Sequence, residues 1–110
     1  MLLDNITDKS MSSLAVTTVL EARTAANEWV ISHLPDRFAA GIPEYDQDLS
    51  GWRVPVWLSY PQLAPLGPVG KLVIDESSGI MREHTPIDEM KNRALELYEQ
   101  HRERIEAPLL

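Results

Sequence analysis

The stretch WRVPVWLSYPQLAPLGPVGKLVIDESSGIM, residues 52–81, decides the fold. Its opening segment alternates, with Trp52, Val54, Val56, Leu58 and Tyr60 on one side of an extended chain and Arg53, Pro55, Trp57 and Ser59 on the other. The first set reads as the core face of a strand. Pro55 has no N–H to give, so its nitrogen must face an edge, a bulge or a wide pair. Residues 60–70 are rich in Pro, Leu and Gly and read as a loop, after which Lys71–Asp75 forms a further strand. A turn over Glu76–Gly79 then leads into a short strand at Ile80–Glu83, with Gly79 as the left-handed residue.

Upstream, LPDRFAAGIPEYDQ (34–47) carries the chain into a strand over Pro43–Gln47, and DLSG (48–51) is the hairpin turn. Before it lies a helix opened by the capping box Thr18-Val19-Leu20-Glu21 and closed near Leu34 by Pro35. Its packing stripe is Ala22, Ala25, Ala26, Trp29, Val30 and His33. Downstream, Thr85 as N-cap and Pro86 at the first helical position open a last helix that reaches about Glu106. Asp88 and Glu89 in its first turn meet the positive end of the helix dipole. Its stripe is Ile87, Met90, Ala94, Leu97, Tyr98, His101 and Ile105.

The expected fold is α+β: an N-terminal helix packed on a three- to four-stranded antiparallel meander sheet, followed by a long C-terminal amphipathic helix. Residues 1–12 read as a flexible arm, with Met11 as an alternative start, and residues 13–110 as a single domain.

Seventeen Asp and Glu against ten Lys and Arg give a charge of −7, which repels phosphate and argues against nucleic acid as a ligand. Without cysteine there is no disulfide and no thiolate metal site. The opening residues lack a basic n-region and a sustained apolar core, and no segment approaches the ~20 apolar residues that span a bilayer. The expected location is cytoplasmic, away from membranes.

The Trp-led strand (Trp52, Val54, Val56) and the strand-and-turn set Val73, Asp75, Gly79 and Ile80 carry a resemblance. Over residues 19–83 the pattern is similar to the small PepSY-type modules, which implies a non-catalytic binding or inhibitory role. The chain departs from that pattern in having no export signal and in adding the last helix, so location and partner class do not carry over. The whole chain, through HTPIDEMKNRALELYEQHRERIEAPLL (84–110), also resembles small bacterial proteins without an assigned activity.

Chemistry finds little footing in the sequence. There is no G-x-S-x-G, no HExxH, and GPVGK (67–71) lacks the spacing of a phosphate loop and precedes a strand. The pair Asp75–Glu76 with His84 could hold a small molecule or a divalent metal across the hairpin, and the same residues are explained by turn formation. No cofactor is expected.

Binding surfaces are better represented. Leu63, Pro65, Leu66 and Pro68 either present a docking loop or fold the leucines back onto the core. Trp57 faces away from the core register, so the last helix, a second subunit or solvent must cover it; the last helix, through Met90, Leu97 and Tyr98, is the reading adopted. Tyr98 on that helix and the apolar tail Leu109-Leu110 complete the candidate surface. The expected function is a non-enzymatic protein-interaction module that self-associates, as a homodimer, and regulates or inhibits a protein partner; the alternative is a small-molecule or divalent-metal-binding domain using the Asp75, Glu76 and His84 corner.

Overall fold

The computed structural model describes residues 17–107, so the expected arm at 1–12 and the tail Leu109-Leu110 lie outside the described residues. Helix α1 spans Val19–His33, followed by strands β1 (Phe38–Ala40), β2 (Glu44–Asp46), β3 (Gly51–Leu58), β4 (Gly67–Asp75) and β5 (Met81–His84). Helices α2 (Ile87–Gln100) and α3 (Arg102–Glu106) close the chain. The α+β class stands, with five antiparallel strands rather than three or four.

The capping box forms as expected. The Thr18 hydroxyl accepts from the Glu21 N–H at 3.1 Å, and the Glu21 carboxylate accepts from the Thr18 N–H at 2.9 Å. Thr18→Ala is expected to lower stability by about 1 kcal/mol, the usual effect of deleting such a cap, in urea-melt comparison with wild type. At the other end Leu34, extended before Pro35, terminates the helix.

The strand missing from the sequence reading is β1. It and β2 both pair with β3, Phe38 opposite Leu58 and Asp46 opposite Gly51, so they are two halves of one edge strand. Between them the register slips by one residue at Gly41-Ile42-Pro43. Pro55 sits opposite this break, and its carbonyl accepts from the Gly41 N–H at 2.8 Å. A strand residue directs N and C=O to the same side, so the absent Pro55 donor faces the irregular edge and no ladder bond is lost there. Of the sites open to Pro55, a bulge is the one used.

Strand β4 begins at Gly67, four residues before the expected start, which shortens the loop and moves Pro68 into the sheet. Val56 pairs with Gly70 and Trp57 with Pro68, leaving Val69 as the extra residue of a bulge. The bulge resets the alternation. Gly70 thereby joins the core face, while Pro68 joins Trp57 on the other.

That core face carries Val54, Val56 and Leu58 from β3 and Leu72 and Ile74 from β4, all buried. Both long helices pack there. Ala22, Ala26 and Val30 come from α1, and Met90, Ala94 and Leu97 from α2. Small residues permit the approach: a Cβ on Gly70 would lie 2.7 Å from Met90 Cγ and 2.9 Å from Thr85 Cβ. Burial of aliphatic side chains such as Leu72 and Ile74 contributes roughly 1.5–3 kcal/mol each and is the main force holding the layers together.

Two expectations about the last helix need correction. The Thr85 hydroxyl is not the N-cap; it accepts from the Lys71 N–H at 3.0 Å and so closes the β4 edge, and Pro86 stands in the cap position instead. Nor does one long helix reach Glu106. The backbone departs from helical geometry at His101 (φ −117°, ψ 16°), separating the 14-residue α2 from the 5-residue α3. Met90, Ala94 and Leu97 of the stripe are buried, while Ile87, Tyr98, His101 and Ile105 are half-buried.

Candidate interaction surface

Among the described residues both long helices pack on one face of the sheet and no element covers the other, although Val73 on that second face is buried at 2 % exposure. Residues there are the alternate set: Ala39, Arg53, Pro55, Trp57, Pro68, Lys71, Val73 and Glu83. Trp57 therefore lies on the face that neither helix covers. Met90 and Leu97 pack beneath Gly70 and Gly67 on the opposite side, so the expectation that the last helix covers Trp57 is overturned. The bulge at Val69 and the shared use of one face by α1 and α2 are the physical reasons.

Trp57 is half-buried and seated in a cleft of about 450 Å³ with Gly41, Ile42, Pro55 and Pro65, with one charge of each sign, Arg23 of α1 and Glu44, at its rim. Its seat depends on the lack of a side chain at position 41. A Cβ there would come within 2.5 Å of Trp57 Nε1 and 2.9 Å of Pro55 Cγ. Ile42 stands beside it, 67 % exposed on the edge-strand break. Gly41 and Ile42 were not among the expected site residues. The Gly-Ile-Pro run that marks the break was the available signal.

The expected loop residues divide. Leu66 folds back against the core, its N–H donating to the Leu58 carbonyl at 2.8 Å, and Leu63 is half-buried. Gln62, with φ at +67°, makes the reversal that brings them inward. Pro65 and Pro68 remain exposed, Pro65 at the Trp57 cleft and Pro68 across the strand pair from Trp57. Tyr98 lines a different cleft, on the helical side of the sheet, and is not brought together with Trp57.

The far half of the open face is charged and internally matched. Arg53 donates to Asp46 at 3.0 Å and lies 4.0 Å from Glu44, while Arg82 approaches Asp75 to 3.6 Å. Arg82 also donates to the carbonyls of Leu49 and Ser50, clamping the β2–β3 turn. Ser50 takes a left-handed conformation there, with φ of 50°.

The acidic corner is engaged as a turn. Asp75 Oδ2 accepts from the N–H groups of Ser77 (3.0 Å) and Ser78 (2.9 Å) and from the Ser78 hydroxyl (3.1 Å), while Gly79 takes φ of +73°. The Glu76 carboxylate accepts from the Tyr45 hydroxyl at 2.8 Å, and its carbonyl accepts from the Thr17 N–H at 2.8 Å, tying the turn to the start of α1. His84, opposite Leu72 on β5, instead rests against Trp29, whose ring His33 stacks on as well, each at 4.6 Å between centroids. The three corner residues are thus engaged separately. Among the described residues no group of three or more His, Asp or Glu is placed to hold a metal ion.

Hydrogen bonds from Ser78, assisted by Arg82 and Ser77, hold the Asp75 carboxyl below its ordinary value of 3.8. A carboxyl depressed in the folded state stabilises the fold above its unfolded pKa, and that stabilisation is lost as pH falls through the lower folded value. The stability gap between wild type and Asp75→Asn is therefore expected to be constant near neutrality and to close below about pH 4. Urea melts at stepped pH would measure it; a gap unchanged down to pH 2 would refute the assignment.

Among the described residues no helix is long and apolar enough to cross a membrane. Comparisons of the chain with protein-family models, with curated proteins and with solved structures find no match.

Proposed function

We propose that the chain is a non-enzymatic protein-interaction module that docks a partner protein on the open face of its sheet, with Trp57 as the anchor, and by occupying the partner regulates or inhibits it. One observation carries this reading: among the described residues the helices pack on one face of the sheet, and a tryptophan in a Pro- and Ile-lined cleft stands on the other. Trp is the residue type most enriched among energetic hot spots, and proline walls lose little entropy on docking. The net charge of −7 favours a basic partner and would speed its encounter at low salt. The resemblance to PepSY-type modules points to the same kind of role.

A second copy of the chain is the second reading, and one feature favours it. Four carboxylates (Glu44, Asp46, Asp75, Glu83) face three cations (Arg53, Lys71, Arg82) on or beside the open side. That face is close to neutral on a chain of −7, so two copies repel least there. Sedimentation of the purified chain, combined with tagged capture from its own cell lysate, separates the readings. A stoichiometric basic partner supports the first. A dimer that Trp57→Ala dissociates supports the second, and a monomer that captures nothing defeats both.

A further inference from the structure

We propose that a second cleft, on the helical side and separate from the Trp57 surface, binds a small anionic amphiphile: a carboxylate carried on a short aliphatic or aromatic body. The cleft, about 360 Å³, lies between the end of α1, β1 and α2. Phe38, Leu58, Ala94 and Leu95 form its apolar walls. Leu58 and Ala94 belong to the buried core, whereas Leu95 is 59 % exposed, so the apolar surface runs from the interior out to water. Its volume falls within the range of ordinary small-ligand sites, roughly 300–1,000 Å³.

The charge of this cleft is opposite to that of the chain. Its charged lining is Arg37 and Lys91, with no Asp or Glu, although acids outnumber bases by seventeen to ten in the sequence. The Arg37 guanidinium lies over the Tyr60 ring, 5.1 Å from its centroid, and the Arg37 carbonyl accepts from the Ser59 N–H at 2.8 Å. Backbone and side chain of this cation are thus both held at the cleft. Among the described residues neither Arg37 nor Lys91 is paired with a carboxylate, a property they share with Arg23, Lys71 and Arg104; what sets them apart is that both line one apolar cleft. Glu106, which approaches the lining at Tyr98, is engaged by the Tyr98 hydroxyl. Two cations over an apolar wall favour an anion with an apolar body. A neutral body forgoes the Coulomb gain, and a cationic one is repelled.

The test uses three probes of equal chain length, octanoate, octan-1-ol and octylammonium, titrated into the full isotope-labelled chain. Amide shifts at Leu58, Ala94 and Leu95 provide the readout. Octanoate is expected to saturate with shifts confined to the cleft, at least roughly tenfold more tightly than octanol, and octylammonium is expected not to bind. Arg37 and Lys91 are exposed, so Arg37→Glu with Lys91→Glu should keep the folded amide spectrum, with a lower melt from the lost Arg37–Tyr60 contact, while abolishing the preference for octanoate. Leu95→Asp, also on the surface, should abolish binding by removing the wall. Equal binding of octanoate and octanol would overturn the proposal, as would a preference that survives charge reversal, or no saturable shift. Octanoate binding that appears only after removal of residues 108–110 would assign the cleft to the chain's own tail and overturn it too. Trp57→Ala should leave octanoate binding intact, so this test stands or falls apart from the partner reading.

Discussion

Met90→Ala is expected to lower the free energy of unfolding by about 2–5 kcal/mol, the range for deleting a long apolar side chain from a packed core. Met90 is fully buried where α2 meets β4, and the backbone at Gly70 closes directly over it. Gly70→Ala approaches the same spot from the sheet side. Its new methyl would meet Met90 Cγ at 2.7 Å, Met90 Sδ at 2.9 Å and Thr85 Cβ at 2.9 Å, so overpacking is expected to cost about 1–3 kcal/mol. The two changes should not add. With Met90 cut back to alanine, the Gly70→Ala methyl loses its two clashes with the thioether side chain and keeps only that with Thr85 Cβ, so the double variant should be about 1 kcal/mol more stable than the sum of the single losses predicts. Urea melts of the four proteins measure that coupling. Additivity within error would mean that the cost of Gly70→Ala comes from Thr85 and not from Met90, and the proposed Met90–Gly70 contact would be refuted.

That contact also shows which parts of the fold were legible beforehand. Local signals read well: the capping box at Thr18, the alternation of Trp52 to Leu58 and the glycine turn after Asp75 all depend on neighbours within a few residues, and all formed. The failures came where tertiary pairing overrides local pattern. Phe38-Ala39-Ala40 is too short and too rich in alanine to announce a strand, and only pairing with Trp57 and Val56 makes it one. Gly67-Pro68-Val69-Gly70 has the composition of a loop, and β3 draws it into the sheet through a bulge. Thr85 offered a local cap, but the Lys71 N–H, fourteen residues away in sequence, engages its hydroxyl instead. The site was legible in the same proportion. Alternation placed Trp57 off the core face, whereas the covering of that face depended on which side α2 chose, and the bulge at Val69 lies outside any periodicity argument.

Trp57→Ala is expected to weaken binding of the captured partner by about 2–4 kcal/mol, roughly thirty- to several-hundred-fold in Kd. A half-buried indole at the centre of an apolar cleft contributes this much only when a partner completes its burial, because water already wets its outer side in the free chain. The variant also removes contacts with Gly41 and Pro55, so loss of binding by itself could reflect a disturbed edge strand. Ile42→Asp separates the two causes. Ile42 is 67 % exposed on the same cleft and absent from the core cluster, so its charge should reduce partner binding with little change in melting. Leu20→Asp, on the outer face of α1 and 73 % exposed, should leave binding unchanged. If Trp57→Ala and Ile42→Asp both bind as wild type, the open face is not the docking surface. If Leu20→Asp alone abolishes binding, the partner sits on the helical layer. Loss in both cleft variants, with binding retained in Leu20→Asp, would place the partner on the open face and make the uncovered side of the sheet the functional half of the molecule.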